Sequence, residues 1–597
     1  MADFETATWF KDRTYVWAWA ICEIGKEENI YFGNNIESFM NFCEQSENST
    51  FYFHNLKFDS EFIISHLLQN NYKWIKDKKE RDDKTFTTLI GEMNQFYTME
   101  IYFKVRGKNI TKAKFIDSLK IIPFSVKEIS KAFNLEESKL TLDYKKIRGM
   151  NHQLTEDEKA YIKNDVVIVS KALNTLFKEN LTKITNGSNA LNDFKTILSA
   201  NRFEHYFPKL DFEVDKDLRK SYKGGFTYLN PIYKEKDVGN GVVLDVNSLY
   251  PSIMYEKQLP YGEGIFFEGK YKSDKIYPLF IQMICCSFKI KKNKIPTIQI
   301  KNNRLFYKAN EYLESSENEI VTLTLTSVDL QLFFEQYDVY ELEYICGWKF
   351  KAINGIFKDY IDKWIKVKNE ATISGNKGQR TLAKLMLNAL YGKFATALEI
   401  TNKVPEIDSN GVVYYVNSEK EIKTGLYLPM GTFITAYARE KTIRTSQAIK
   451  DYSLKKYKKD KYIYSDTDSI HCLLSIEELK QFCEIDDVEL GKWKVEAQFT
   501  KARFLRQKCY IEEINNKLKV TCAGLPKNCA DLVNFKNFKV GFKCGGKLLF
   551  KHVKRWNNTW RNRIYNQRWK NNSKYKEIKK IKLYNIAEGG EYYAIFL

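Results

Sequence analysis

The stretch KYIYSDTDSIHCLL, residues 461–474, sets two aspartates between two short apolar runs. Both runs have the aromatic and β-branched content of strands, so Asp466 and Asp468 fall in a tight connection. A two-residue offset keeps their carboxylates on one side locally. The stretch GVVLDVNSLYP, residues 241–251, supplies a third acid, with Asp245 at the end of an apolar strand. A lone Asp-Thr-Asp turn can merely close a hairpin. Three acids drawn together repel one another and need a positive partner, for which Mg²⁺ is the natural choice.

QRTLAKLMLNALYGKF, residues 379–394, reads as one helix. Lys384, Asn388 and Tyr391 recur at i, i+4 and i+7, with Arg380 a turn earlier on the same stripe. Leu385, Leu387 and Leu390 account for a buried face but not for this polar stripe. Cations facing a carboxylate cluster suit a triphosphate, whose charge must be neutralised on the side away from the metals. Two ions about 3.5–4 Å apart would activate an attacking hydroxyl and stabilise a pyrophosphate leaving group.

A second acidic set lies near the N-terminus. Asp3 and Glu5 alternate on one strand and share a face. Asp59 opens a helix after FYFHNLKF, and Tyr161 and Asp165 share a face of a long helix. Thr155 and Glu158 form the capping box of that helix. Four carboxylates and a phenol suit two-metal hydrolysis of a phosphodiester.

The surrounding chain has 597 residues, 44% hydrophobic and 15% aromatic, with 95 Lys and Arg against 75 Asp and Glu. That length predicts several domains, and the net charge of +20 predicts attraction to polyanions. Eleven scattered cysteines without ligand spacing fit a reducing compartment and argue against structural zinc. Neither a long apolar span nor a secretory start is visible, so a soluble intracellular protein is expected. TNGSN at 185–189 marks a first boundary. Residues 295–349 are lysine-rich with little helical periodicity, a helical pair spans 357–394, and a hairpin turns at Asp408–Gly411. Between Lys551 and Lys582 twelve basic residues face one acid, Glu577. The interleaved Trp556, Trp560, Tyr565, Trp569 and Tyr575 would line one side of a helix and could offer a phosphate-contacting surface.

DVNSLYPSIM at 245–254, KLMLNALYGKF at 384–394 and YSDTDS at 464–469 resemble, in order, the three polymerase motifs of family B DNA polymerases. DFET at 3–6, HNLKFDSEF at 54–62 and YIKND at 161–165 resemble the exonuclease motifs of that family. YKGG at 222–225 and LRQKCY at 505–510 narrow the resemblance to protein-primed bacteriophage polymerases, and it runs from residue 3 to about 544. The implied fold is α/β and multidomain. An RNase H-like 3′–5′ exonuclease domain (1–185) precedes a right-hand polymerase with two insertions. The expected parts are palm (186–295 and 428–536), a terminal-protein-region insertion (296–356), fingers (357–395), a second insertion (396–427) for strand displacement and processivity, and thumb with tail (537–597).

The resemblance further implies that Asp245, Val246 and Asp468 bind the polymerase metals, with Asp466 flanking them. Tyr250 would lie beneath the incoming sugar and exclude a 2′-hydroxyl. Lys384 and Arg380 would contact the triphosphate, and Asn388 and Tyr391 would shape the nascent pair. Tyr222, Gly224 and Gly225 would touch template, Lys508 and Tyr510 would hold the primer terminus, and Asn55 would contact DNA. Asp3, Glu5, Asp59 and Asp165 would bind the exonuclease metals, assisted by Tyr161. Two Mg²⁺ ions are implied at each site, with Mn²⁺ as substitute. Implied partners are primer–template DNA, dNTPs, a terminal protein and a viral single-stranded-DNA-binding protein, in the cytoplasm of an infected bacterial host. A stand-alone nuclease, a catalytically silent scaffold and a reverse transcriptase are the rivals. Only Met1 and Ala2 precede Asp3, so this strand is expected to fray and weaken proofreading, unless the true start lies upstream. The loop SGNKG leaves the outer finger lysine open between Lys366 and Lys368.

Overall fold

The computed structural model describes residues 1–7, 14–144, 146–299, 312–408, 412–523, 525 and 530–540; beyond 540 it describes strand backbone only. The architecture is mixed α/β with several sheets, as expected. An eight-stranded sheet opens the chain, in the spatial order Lys26–Gly33, Val16–Glu23, Ala2–Thr6, Thr50–Phe53, Asn109–Asp117, Gln95–Arg106, Thr85–Gly91 and Lys73–Trp74. The short Ala2–Thr6 strand therefore lies inside the sheet. It pairs antiparallel with Val16–Glu23 and parallel with Thr50–Phe53, and the Met1 amine donates to the Cys22 carbonyl at 2.6 Å. Its whole length pairs with Val16–Glu23, whereas its pairing with Thr50–Phe53 is at Ala2 opposite Phe53.

A second, seven-stranded antiparallel sheet gathers strands distant in sequence, ordered Lys517–Cys522, Cys509–Ile514, Trp493–Arg506, Asp237–Val246, Ser469–Cys472, Tyr462–Asp466 and Thr227–Leu229. Its centre is the strand Asp237–Val246, which carries Asp245 at its penultimate position. Two helices, Lys358–Ile373 and Lys377–Ala389, form the expected pair. A thirty-residue helix, Leu428–Tyr457, runs behind the sheet and buries Phe433, Ile434 and Ile443. One continuous apolar core joins Trp17, Tyr161, Val166 and Leu173 to Leu244, Leu382, Leu387 and Phe433. A separate core of Phe4, Trp19, Phe39, Phe53 and Phe115 fills the other face of the first sheet. Among the described residues no helix is long and apolar enough to cross a membrane.

TNGSN follows the end of one helix at Lys178 and starts the next, Asn186–Leu198, with the Thr185 side chain accepting from the Ser188 amide. Three sequence expectations are corrected. The lysine-rich region belongs to a four-stranded sheet that begins at Leu259, in the order Leu259–Glu268, Tyr337–Ile353, Leu279–Ile290 and Val321–Thr326. It also carries a helix, Ser327–Gln336, capped by Thr326. The helix motif is not continuous: Leu390 separates Lys377–Ala389 from the short turn of helix Tyr391–Phe394. In the basic tail, strands replace the expected helix: Lys574–Asn585 pairs with both Gln567–Asn571 and Glu591–Phe596. Its aromatic and β-branched content favours strands. Tyr565 and the tail side chains lie outside the described residues. The strands Lys403–Ile407 and Val413–Asn417 pair antiparallel, as a hairpin there requires; of the expected turn at Asp408–Gly411, residues 409–411 lie outside the described residues. This strand pair docks on the first sheet through Tyr415, edge-on to Phe96 at 5.7 Å.

Candidate active sites

The seven-stranded sheet places Asp245 opposite Ser469 on one side and opposite Lys494 on the other. The Val246 amide donates to the Asp468 carbonyl at 2.8 Å, which ties the Asp-Thr-Asp turn to the Asp245 strand. At the centre of that turn Thr467 has φ 60°, uncommon for a non-glycine residue. It is held by its own amide to the Phe226 carbonyl at 2.7 Å and by the Thr442 hydroxyl donating to its carbonyl at 2.7 Å. Gly225 lies directly against it. A Cβ there would sit 2.5 Å from Thr467 Oγ1, so a side chain at 225 would push the turn away. The carbonyls of Lys223 and Gly224 accept from Arg439, whose guanidinium also grips Asp329. Sequence reasoning missed this buried pair because its members lie 110 residues apart.

Burial first, and then Asp245, push the Asp468 carboxyl up to about 6. Asp466 is engaged elsewhere: Lys508 Nζ lies 2.8 and 2.9 Å from its two oxygens, and the Tyr464 and Thr227 hydroxyls donate to it. Tyr510 packs its ring among Tyr464, His471 and Phe504. Tyr250 stacks on Tyr391 with centroids 3.9 Å apart, and Tyr222 is half-buried near Tyr391. Arg380, Lys384 and Asn388 line a cavity of about 490 Å³. Desolvation, then Arg380 and Lys494, depress the Lys384 ammonium. Desolvation, then Lys384, Arg380 and Lys494, do the same to Lys368, whereas Lys366 is exposed near Glu370. Of the two lysines, it is Lys368 rather than Lys366 that lies close enough to feel Lys384 and Arg380.

Glu5 on the first sheet, Asp59 on the helix Leu56–Gln69 and Asp165 on the helix Glu156–Lys178 are all buried. Burial and the neighbouring Asp165 push Asp3 up to about 7, opposed by Lys139. Burial, then Asp3, raise Glu5 and Asp59. Asp165 is also raised by burial, against the pull of Lys139, whose Nζ lies 2.6 Å from Oδ2. The Tyr161 and Tyr144 hydroxyls are 2.7 Å apart. Asn55, at φ 76°, donates its amide to the buried Asp117 at 3.0 Å. Lys139, Tyr144 and Asp117 were not legible, since no local pattern links them to the acids. Among the described residues no three His, Cys, Asp or Glu side chains converge on one ion position. What is present fits a hard divalent cation: an all-oxygen donor set, with Asp59 Oδ1 and Asp165 Oδ1 buried without a hydrogen-bond partner.

Residues 40–155 and 142–482 match the family model for DNA polymerase type B, organellar and viral. The DNA polymerase of Bacillus phage Nf is 45% identical over 565 residues, covering 91% of this chain and 95% of that one. The DNA polymerase of Streptococcus phage Cp-1 is 30% identical over 578 residues, covering 92% and 95%. Among solved structures, phi29 DNA polymerase with primer–template DNA matches with a TM-score of 0.84 and 42% identity, over 92% of this chain and 96% of that one. Its ternary complex with primer–template DNA and incoming nucleotide substrates matches with a TM-score of 0.85 and 40% identity, over 100% and 98%. The ordered motifs, the two acidic sites and these matches agree, and the chain belongs to the type B DNA polymerases, in the phi29-type group of bacteriophage enzymes.

Proposed function

We propose that the chain copies DNA from a terminal-protein primer, displaces the non-template strand, and proofreads through a 3′–5′ exonuclease. The observation that carries this reading is the meeting of Asp245 and Asp468 with the stacked Tyr250 and Tyr391 and the cations Lys368, Arg380 and Lys384. Asp245, the Val246 backbone and Asp468 would hold two Mg²⁺ ions, or Mn²⁺ in their place, which when bound activate the primer hydroxyl and stabilise the leaving pyrophosphate. Lys368, Arg380 and Lys384 neutralise the triphosphate and align its α-phosphorus for in-line attack. Tyr250 supports the sugar and blocks a 2′-hydroxyl, while Tyr391 and Asn388 bound the nascent pair. Lys508 and Tyr510 hold the primer end, with Asp466 anchoring the Lys508 ammonium. Tyr222, Gly224 and Gly225 contact template beside the Asp-Thr-Asp turn.

In the exonuclease, Asp3, Glu5, Asp59 and Asp165 would hold the second pair of ions. Tyr161, oriented by Tyr144, positions the attacking water, and Asn55 grips the single strand. The sheet starting at Leu259 is assigned to terminal-protein docking and the 396–427 hairpin to the downstream template, together with a viral single-stranded-DNA-binding protein. The setting is the cytoplasm of an infected bacterium. A 5′-labelled recessed primer–template with Mg²⁺ tests the reading on a denaturing gel. Extension with dNTPs and shortening without them are expected. Absence of extension overturns the polymerase assignment, and extension without shortening overturns the exonuclease.

A further inference from the structure

Lys494 has no place in the sequence motifs, yet it is the direct cross-strand partner of Asp245. Its Nζ lies 2.9 Å from Asp245 Oδ1, and the two side chains are 36% and 22% exposed. The same ammonium acts on Lys384 and Lys368 across the cleft. One flexible cation thus rests on the carboxylate of the palm while its charge is felt by the triphosphate-facing lysines of the fingers. Cross-strand register fixes where its stem begins, while four methylenes leave its head free to swing.

We propose that Lys494 is a positioning residue that couples metal loading to nucleotide binding. In the free enzyme its ammonium occupies Asp245. A divalent cation and an ammonium cannot share that oxygen, because like charges at contact distance repel, so ion binding displaces Lys494. The displaced cation needs an anion, and the incoming triphosphate, already faced by Lys384 and Lys368, is the one within reach. An ion binding alone meets the full cost of displacement. An ion binding with a nucleotide recovers it as a new phosphate contact, and linkage makes the help mutual. This rests on the polymerase reading above.

The test is Mn²⁺ binding to the full chain, followed by the electron paramagnetic resonance signal of free Mn²⁺, in an Asp165→Ala background that weakens the exonuclease site. Lys494→Met and Lys494→Arg are compared with the parent, with and without dNTP on a dideoxy-terminated primer–template. Lys494→Met is expected to bind Mn²⁺ about 5- to 10-fold tighter without nucleotide, and to lose most of the tightening that nucleotide gives the parent. Lys494→Arg is expected to keep both parental values, and the KM for dNTP to rise in Lys494→Met only. Unchanged or weaker Mn²⁺ binding by Lys494→Met overturns the proposal. If the parent extends primers normally, that result removes this inference alone; if the parent extends nothing, the polymerase reading falls with it.

Discussion

The two acidic sites solve one electrostatic problem differently. Beside the first sheet Asp3, Glu5, Asp59 and Asp165 lie near enough for their charges to act on one another, three of them buried, with Lys139 paired to Asp165. Charge there is largely uncompensated, and the acids respond by holding their protons more tightly, Asp3 up to about 7. In the seven-stranded sheet Asp245 and Asp466 keep about a fifth of their surface in solvent, and each has a lysine of its own. Compensation in the second site means that a cation must leave before another arrives. In the first site ions would fill an unmet need. The lesson is that similar ligand types can be poised by burial or by counter-charge, and that the two differ in what they exchange on loading.

Each site is also backed by one buried arginine–carboxylate pair. Arg148 and Glu158 anchor the helix that presents Tyr161 and Asp165. Arg439 and Asp329 anchor the backbone of Lys223 and Gly224 beside the Asp-Thr-Asp turn.

The sharpest break of the comparison is reciprocal. Asp468→Ala should remove extension and spare shortening, while Asp165→Ala should do the opposite, each by at least about 10²-fold, the scale of a misplaced catalytic group. If either change abolishes both reactions, the sites are not independent. A smaller effect is expected of Lys139→Ala, which leaves Asp165 without its cation. Shortening should slow about 10- to 100-fold, as for other outer-shell partners of a metal site, with extension per bound primer unchanged. Smaller still in activity are the backing pairs. Glu158→Gln or Asp329→Asn should each cost ~3–5 kcal/mol, the usual loss from breaking a buried pair, read from denaturant midpoints. Glu158 also carries a pH signature. Burial alone would raise its carboxyl, but Arg148, the Thr155 amide and His152 outweigh it and hold it at about 2. A depressed carboxylate stabilises the fold above its unfolded value near 4.3 and loses that contribution as pH falls toward 2. The parent's midpoint should therefore fall between pH 5 and 3 more steeply than that of Glu158→Gln; equal slopes would refute the anchor.

Much of this was legible because it is local. The strand–turn–strand around Asp466 and Asp468, the strand carrying Asp245, the Thr155 capping box and the polar stripe of Arg380, Lys384 and Asn388 are all set by residues within a few positions of one another. What the sequence hid is set by register and long-range pairing. Lys494 matters because of the strand it faces, 249 positions away. The N-terminal strand is held along its length by Val16–Glu23, and at Ala2 alone by Thr50–Phe53. Tyr391 was read onto a helix that Leu390 separates from its own short turn, since periodicity alone does not see such an offset. The sheet beginning at Leu259 escaped notice because composition shifts at its lysines, not at its first strand.

The core that joins Tyr161, Val166 and Leu173 to Leu382, Leu387 and Phe433 decides how the two proposed activities can be separated. The helix Glu156–Lys178 is packed on one face by its own sheet and shares its apolar core with the helices Lys377–Ala389 and Leu428–Tyr457. A truncation near residue 185 would bare that shared surface on both fragments and trade a catalytic question for an aggregation problem. If the proposed nuclease is to be removed, exchanging one buried carboxylate serves better than shortening the chain.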